Sequence, residues 1–121
     1  MASCLIVDDS KVIRKVARRI LEDFDLNVAE AADGQEALGH CHDDMPDLIF
    51  LDWNMPVMGG LQFLETLRAE THDTQPKIIF CTTENDMDHI RQAMDAGADE
   101  YIMKPFDRQI IAAKLAEVGI A

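Results

Sequence analysis

The chain is short of positive charge. Its 121 residues carry 11 Lys+Arg against 23 Asp+Glu, a formal net charge of −12. So acidic a surface has no generic attraction to phosphate backbones and is repelled by anionic lipid, which argues against sequence-independent nucleic-acid binding and against membrane docking. Long apolar runs are missing too. None approaches the ~20 residues that span a bilayer, and the N-terminal stretch Cys4–Val7 is too short for a secretory signal. Cysteine is scarce. Cys4, Cys41 and Cys81 are odd in number and none has CxxC spacing, so a disulfide framework is not expected and reduced thiols in a cytoplasmic chain are. No linker, repeat or low-complexity segment breaks the sequence. What remains is one soluble domain over residues 1–121, with 48% hydrophobic residues to supply its own core, and it is expected to be monomeric.

What is present is regular alternation. Four short apolar runs, Cys4–Val7, Leu48–Leu51, Ile78–Cys81 and Tyr101–Met103, are continuous rather than alternating, as in strands covered on both faces. Leu26–Ala29 is weaker and suits an edge strand. Helical spacing fills the gaps. Val12, Ile13, Val16, Ala17, Ile20, Leu21 and Phe24 follow the candidate N-cap Ser10. Ala37, Leu38 and Cys41 follow Asp33-Gly34, and Leu61, Leu64 and Leu67 follow Gly59-Gly60. Met87, Ile90 and Met94 are opened by Asn85 or Asp86 and closed by Gly97. Ile110, Ile111, Lys114, Leu115 and Val118 follow Pro105. Five strand–helix units in strict alternation predict an α/β fold, a doubly wound five-stranded parallel sheet with five helices.

The polar residues that end the strands then gain meaning. Asp8-Asp9 follow the first strand, Asp52 the third, Thr82-Thr83 the fourth and Lys104-Pro105 the fifth. Ligands of open α/β sheets bind at that edge. Each residue alone would more commonly be a turn or a cap. Together they place three carboxylates, one or two hydroxyls and one ammonium in one crevice. Three such carboxylates repel one another unless one keeps a proton or a cation sits among them. All-oxygen donors suit a hard ion, Mg²⁺ being the natural candidate, and the absence of His and Cys from these motifs argues against zinc. Mg²⁺ commonly bridges carboxylates to phosphate oxygens, and Lys104 would add a second positive charge for a phosphoryl group.

Leu5-Ile-Val-Asp8-Asp9-Ser10, Leu51-Asp52-Trp-Asn-Met-Pro56 with Gly59-Gly60, Thr82, and Lys104-Pro105-Phe106 resemble the receiver domain of two-component response regulators. Asp52-Trp-Asn-Met-Pro56 and Tyr101 point to its single-domain, CheY-like branch. The resemblance spans essentially the whole chain. It implies a flavodoxin-like, CheY-like sheet of order 2-1-3-4-5 and no output domain. It implies that Asp52 accepts a phosphoryl group from a histidine kinase or a histidine phosphotransfer protein. Mg²⁺ would be held by Asp9, Asp52 and the backbone carbonyl of Asn54, and by Asp8 through water. Lys104 would pair with phosphoryl oxygens, and Pro105 would follow a cis peptide bond. Thr82 would hydrogen-bond the phosphoryl group and its movement would let Tyr101 turn inward. That would alter the surface of helix 4, strand 5 and helix 5, where a protein target docks. Hydrolysis of the acyl phosphate would reset the state, a slow autophosphatase activity in a switch more than an enzyme. Chemotaxis or motility signalling is the favoured setting; a phosphate sink or a phosphorelay intermediate in cell-cycle or stress signalling would look nearly the same.

Some residues depart from the family pattern. Thr83 stands where Ala or Gly is usual, and with Asn54 and Glu84 it would modulate access to the site. Met58-Gly59-Gly60 lacks the usual acid before the second glycine, a change expected to be tolerated because glycine accepts positive φ. Lys11, Arg14, Lys15, Arg18 and Arg19 share one face of helix 1. This is either a solvated face or a docking patch for an acidic kinase partner. Met87, Met94 and Met103 are candidates for the target surface. His40 and His42 read as a solvated helix end, and His72 and His89 carry no signal.

Two other functions fit an α/β acid site. An aspartyl-phosphate phosphohydrolase using Mg²⁺ would want a second acid two residues after its nucleophile, where this chain has Asn54, and a cap over the substrate. A flavin carrier would want a Ser/Thr/Gly-rich loop after strand 1. Asp8-Asp9 would repel its phosphate, and only Trp53 and Tyr101 are available as aromatics other than Phe.

Overall fold

The computed structural model describes residues 2–70, 75–82 and 87–120. Among these residues strands and helices alternate: β1 (Ser3–Val7), α1 (Lys11–Glu22), β2 (Asn27–Ala31), α2 (Gly34–Asp43), β3 (Leu48–Asp52), α3 (Gly60–Ala69), β4 (Lys77–Thr82), α4 (Met87–Asp95), β5 (Glu100–Met103) and α5 (Arg108–Glu117). The five strands form one parallel sheet in the order β2-β1-β3-β4-β5, as expected.

Period-two geometry explains the continuous apolar runs. Leu5, Val7, Ile49, Leu51, Ile78 and Phe80 face a core built with α2, α3 and α4. Their neighbours Cys4, Ile6, Leu48, Phe50, Ile79, Cys81 and Ile102 face a second core built with α1 and α5. A strand buried on both faces has no position left for a polar residue. All three thiols lie in these cores and are free. Burial pushes the Cys41 thiol up to about 11, with the Glu70 charge adding to it, so none is a ready nucleophile.

Among the described residues, three helix starts carry side-chain caps. The amide of Ile13 donates to Ser10 Oγ, that of Glu36 to Asp33 Oδ1 and that of Ile110 to Asp107 Oδ1. Gly97, at φ +111°, ends α4, with Ala98 N–H bonded to the Ala93 carbonyl. The proposed opening of α4 by Asn85 or Asp86 lies outside the described residues.

Three expectations need correction. β2 runs to Ala31 rather than Ala29, because its register against β1 continues through Ile6↔Glu30 and Val7↔Ala31, although Glu and Ala are poor strand formers. In α1 only Ala17 and Leu21 are fully buried. The apolar stripe is wider than the face the sheet can cover, and Val12 and Val16 remain 70% and 46% exposed.

The third correction is the turn after β3. Gly59 has an ordinary φ of −73°, and the left-handed residue is Val57, at φ +67°. The glycine that matters is Gly60. A Cβ there would lie 2.1 Å from the Asp52 carbonyl oxygen, so α3 starts against the backbone of the acid-bearing strand through close approach, not positive φ. Val57, β-branched, left-handed and 76% exposed, is strained by about 1–2 kcal/mol. Val57→Asn is therefore expected to raise the melting temperature by a few degrees in a thermal scan. An equal or lower value would show that the strain is compensated locally.

Candidate functional site

The topology brings Asp8, Asp52, Thr82 and Lys104 to the same sheet edge, because each ends or immediately follows its own parallel strand. Asp8, Asp52 and Thr82 are the buried polar residues of the described chain. Asp9 is exposed beside them. Ligand oxygens of Asp8, Asp9 and Asp52 lie within 4.8 Å of one another. Lys104 Nζ donates to Asp8 Oδ2 at 2.8 Å and to Asp52 Oδ1 at 3.0 Å. Its backbone is anchored, since Lys104 N–H donates to the Thr82 carbonyl at 2.8 Å; the Lys104–Pro105 peptide is cis. Phe106 follows, edge-on to Phe50 in the core beneath.

One ammonium does not balance three carboxylates. Burial lifts the Asp52 carboxyl above the usual carboxylate range, and Asp8 and Asp9 add to the rise while Lys104 opposes it. For Lys104, burial alone would lower the ammonium, but hydrogen bonds to Asp8 and Asp52 outweigh it and raise it. The carboxylate oxygens therefore form a hard, anionic cradle with charge left over. That donor set fits Mg²⁺, which accepts carboxylate oxygens and retains several waters.

The other expected residues divide. Asn54 is exposed in the loop two residues beyond Asp52. Thr82 closes β4, buried at the site edge. Thr83 and Glu84 lie outside the described residues, as does His72. Tyr101 is half-buried on β5, with Lys114 Nζ 4.7 Å from its ring centroid. Met87 and Met94 are exposed on α4. His42, at the end of α2, pairs with Glu70 at 2.9 Å, and no group of three metal-ligating side chains gathers there among the described residues.

Two contacts were not legible from spacing. Trp53, next to Asp52, packs edge-on against Phe80 and stacks on His89 of α4, with centroids 4.5 Å apart and planes at 21°. The basic face of α1 is also split. Arg14 and Arg18 fold onto β2, both bonded to Glu30. Lys15 and Arg19 instead flank a groove with Val12, Val16 and Ile20.

Comparison with known proteins agrees with this geometry. The family model for the response regulator receiver domain matches residues 4–116. The chain is 36% identical over 115 residues to the chemotaxis protein CheY of Pseudomonas aeruginosa, covering 94% of this chain and 93% of that protein. It is 32% identical to the phosphate regulon transcriptional regulatory protein PhoB of Klebsiella pneumoniae, covering 94% of this chain and 50% of that one. Among solved structures, the chemotaxis response regulator CheY4 of Vibrio cholerae superposes with a TM-score of 0.90 at 35% identity, covering 98% of both chains. With its sheet order, its strand-end acids and these relatives in agreement, the chain belongs to the response regulator receiver family and is CheY-like.

Proposed function

We propose that this protein accepts a phosphoryl group on Asp52 and uses the change to recruit a protein target, in chemotaxis or motility signalling. The supporting observation is the constellation of Asp8, Asp9, Asp52 and Lys104. The chemotaxis setting rests on the CheY relatives. A cytoplasmic location follows from the same reading, and no helix among the described residues is long and apolar enough to cross a membrane.

Asp9, Asp52 and the Asn54 carbonyl would hold Mg²⁺, with Asp8 acting through water. Once bound, the ion neutralises carboxylate charge and aligns phosphoryl oxygens. The protein supplies the rest by position. An Asp52 oxygen attacks phosphorus in line with the departing imidazole nitrogen of a phosphohistidine, and the acyl phosphate forms as the P–N bond breaks. Lys104, already between Asp8 and Asp52, pairs with the incoming oxygens. Thr82 donates a hydrogen bond to them. Tyr101 then leaves Lys114 and turns inward, altering the face made by α4, β5 and α5. Water attack on the acyl phosphate restores Asp52, a slow self-hydrolysis that makes the protein a timed switch rather than a turnover enzyme.

The test is a pull-down with wild type loaded with Mg²⁺ and beryllofluoride, an acyl-phosphate mimic, against Asp52→Asn treated identically. A partner held only by the loaded wild type is expected. Identical captures would refute a phosphorylation-dependent target and favour a sink or relay step.

The donor is expected on α1. Val12, Val16 and Ile20 offer an apolar strip and Lys15 and Arg19 a positive rim, complementary to an acidic helical surface of a kinase or phosphotransfer domain. Val16→Asp with Arg19→Glu should slow transfer from the phosphorylated donor about tenfold or more, leaving acetyl phosphate labelling unchanged. Equal slowing of both routes would remove α1 from donor docking.

A further inference from the structure

Asp8 is held at every polar atom it has. Its N–H donates to the Ala31 carbonyl at 3.1 Å. Its Oδ1 accepts from Ser10 N–H at 2.9 Å and its Oδ2 from Lys104 Nζ at 2.8 Å. Its own carbonyl oxygen accepts from the Arg14 guanidinium at 2.6 Å. The first three contacts come from neighbours already tied to the sheet edge or the helix cap. The fourth comes from a long side chain, and that side chain is anchored elsewhere. Arg14 Nε donates to Glu30 Oε1 at 3.0 Å, and Glu30 lies on β2, paired in register with Ile6. Arg18 braces the same carboxylate and also donates to the Val28 carbonyl. The Arg14 side chain is 16% exposed, so it is a packed strut and not a solvated arm.

The bonded carbonyl belongs to the peptide that joins Asp8 to Asp9. Fixing that oxygen fixes the peptide plane, which sets where the next residue's Cα and side chain begin. Asp9 is the exposed member of the acid cluster, with little packing of its own to aim it. Hydrogen bonds that aim ligands from behind are worth a large share of metal affinity.

We propose that Arg14 is a positioning residue for the metal site, holding the Asp8–Asp9 peptide so that both carboxylates face Asp52. This rests on the reading of the acid cluster as a Mg²⁺ site. It goes beyond that reading by assigning the organisation of the cluster to a basic residue on α1 and an acid on the edge strand. It makes a prediction opposite in sign to simple electrostatics. Arg14 is a cation near a cation site, so losing its charge alone would tighten Mg²⁺ binding. Losing the strut should weaken it.

The experiment is calorimetric titration of the metal-free full chain with Mg²⁺, comparing wild type, Arg14→Gln and Arg18→Gln, each with its melting temperature recorded. Arg18→Gln removes a bond to the same Glu30 and loosens β2, but does not touch Asp8, and so controls for general destabilisation. Arg14→Gln is expected to weaken Mg²⁺ about tenfold, and Arg18→Gln to stay within about twofold of wild type at a comparable loss of melting temperature. Arg14→Lys keeps the charge but cannot reach Glu30 and the Asp8 carbonyl through one planar fork. It should also weaken Mg²⁺ binding relative to wild type, and it takes the place of Arg14→Gln if that variant does not fold. Unchanged or tighter binding by the Arg14 variants would overturn the proposal, and so would equal weakening in Arg18→Gln. No Mg²⁺ binding by wild type would overturn the metal-site reading itself, a result distinct from both.

Discussion

Replacing Asp52 by Asn is expected to abolish phosphoryl acceptance and, in the metal-free protein, to raise thermal stability. The first effect follows from chemistry. A carboxylate oxygen can attack phosphorus and leave again, and a neutral amide in the same place cannot. Mass spectrometry after incubation with acetyl phosphate and Mg²⁺ should show the acyl-phosphate adduct on wild type and none on the variant. An adduct of equal yield on Asp52→Asn would place the acceptor elsewhere. The second effect follows from the buried charge. Burial, Asp8 and Asp9 together hold the Asp52 carboxyl above the usual carboxylate range against the pull of Lys104. The native state therefore binds that proton more tightly than the unfolded chain does. Stability falls as pH rises from the ordinary carboxylate range through the raised native value. Asn removes that loss while keeping an oxygen for Lys104. The melting temperature of metal-free Asp52→Asn should exceed that of wild type by roughly 3–5 °C near pH 7, about 1 kcal/mol at this chain length. The gap should close below the ordinary carboxylate range. A lower melting temperature for the variant at neutral pH would show that the Lys104 ion pair outweighs the crowding of acids.

Gly60→Ala is expected to have the largest structural effect of any one-carbon change at this site. The new methyl would sit 2.1 Å from the Asp52 carbonyl oxygen and 3.0 Å from its carbon. Both are backbone atoms of a central strand, so no side-chain rotation relieves the overlap. Either α3 shifts outward, opening the core around Phe63, Leu64 and Leu67, or the end of β3 moves and carries Asp52 with it. Overpacking of this severity costs about 3 kcal/mol or more, roughly 10 °C in melting temperature. Phosphoryl acceptance should fall as well, because the acid loses its alignment. Ala at Gly39, where an added Cβ meets nothing within 4 Å, is the matching control and should leave labelling unchanged. A Gly60→Ala protein with wild-type melting and labelling would mean that the β3–α3 junction yields at almost no cost.

The strands, their order of appearance and the site acids were all legible because they depend on short-range pattern. A run such as Leu48–Leu51 can be satisfied only between two apolar layers, and a polar residue ending each run must lie at one edge of a parallel sheet. The end of β2 was not legible, since Glu30 and Ala31 look like turn residues until β1 supplies their partners. The exposure of Val12 and Val16 was hidden for a similar reason. Spacing marks an apolar stripe but not how far round the helix the sheet reaches. The contacts of Arg14 and His89 were not legible because they are set by distant elements. The partner of Arg14 is 16 residues away on the edge strand, and that of His89 is Trp53, just beyond the end of β3. No local pattern encodes such pairings, and at Arg14 the charge pattern misled. It grouped a strut with truly surface-facing Lys15 and Arg19.

The chain holds a single tryptophan, and the fold sets it just beyond β3, in contact with Phe80 of β4 and His89 of α4. If Asp52 is the acceptor proposed above, indole emission is expected to respond both to the imidazole stacked on it and to charge arriving next door at Asp52. On that reading one fluorophore would report both site occupancy and helix position. His89→Leu would keep the first signal and remove the second, which allows the order of the two events to be timed without attaching any label.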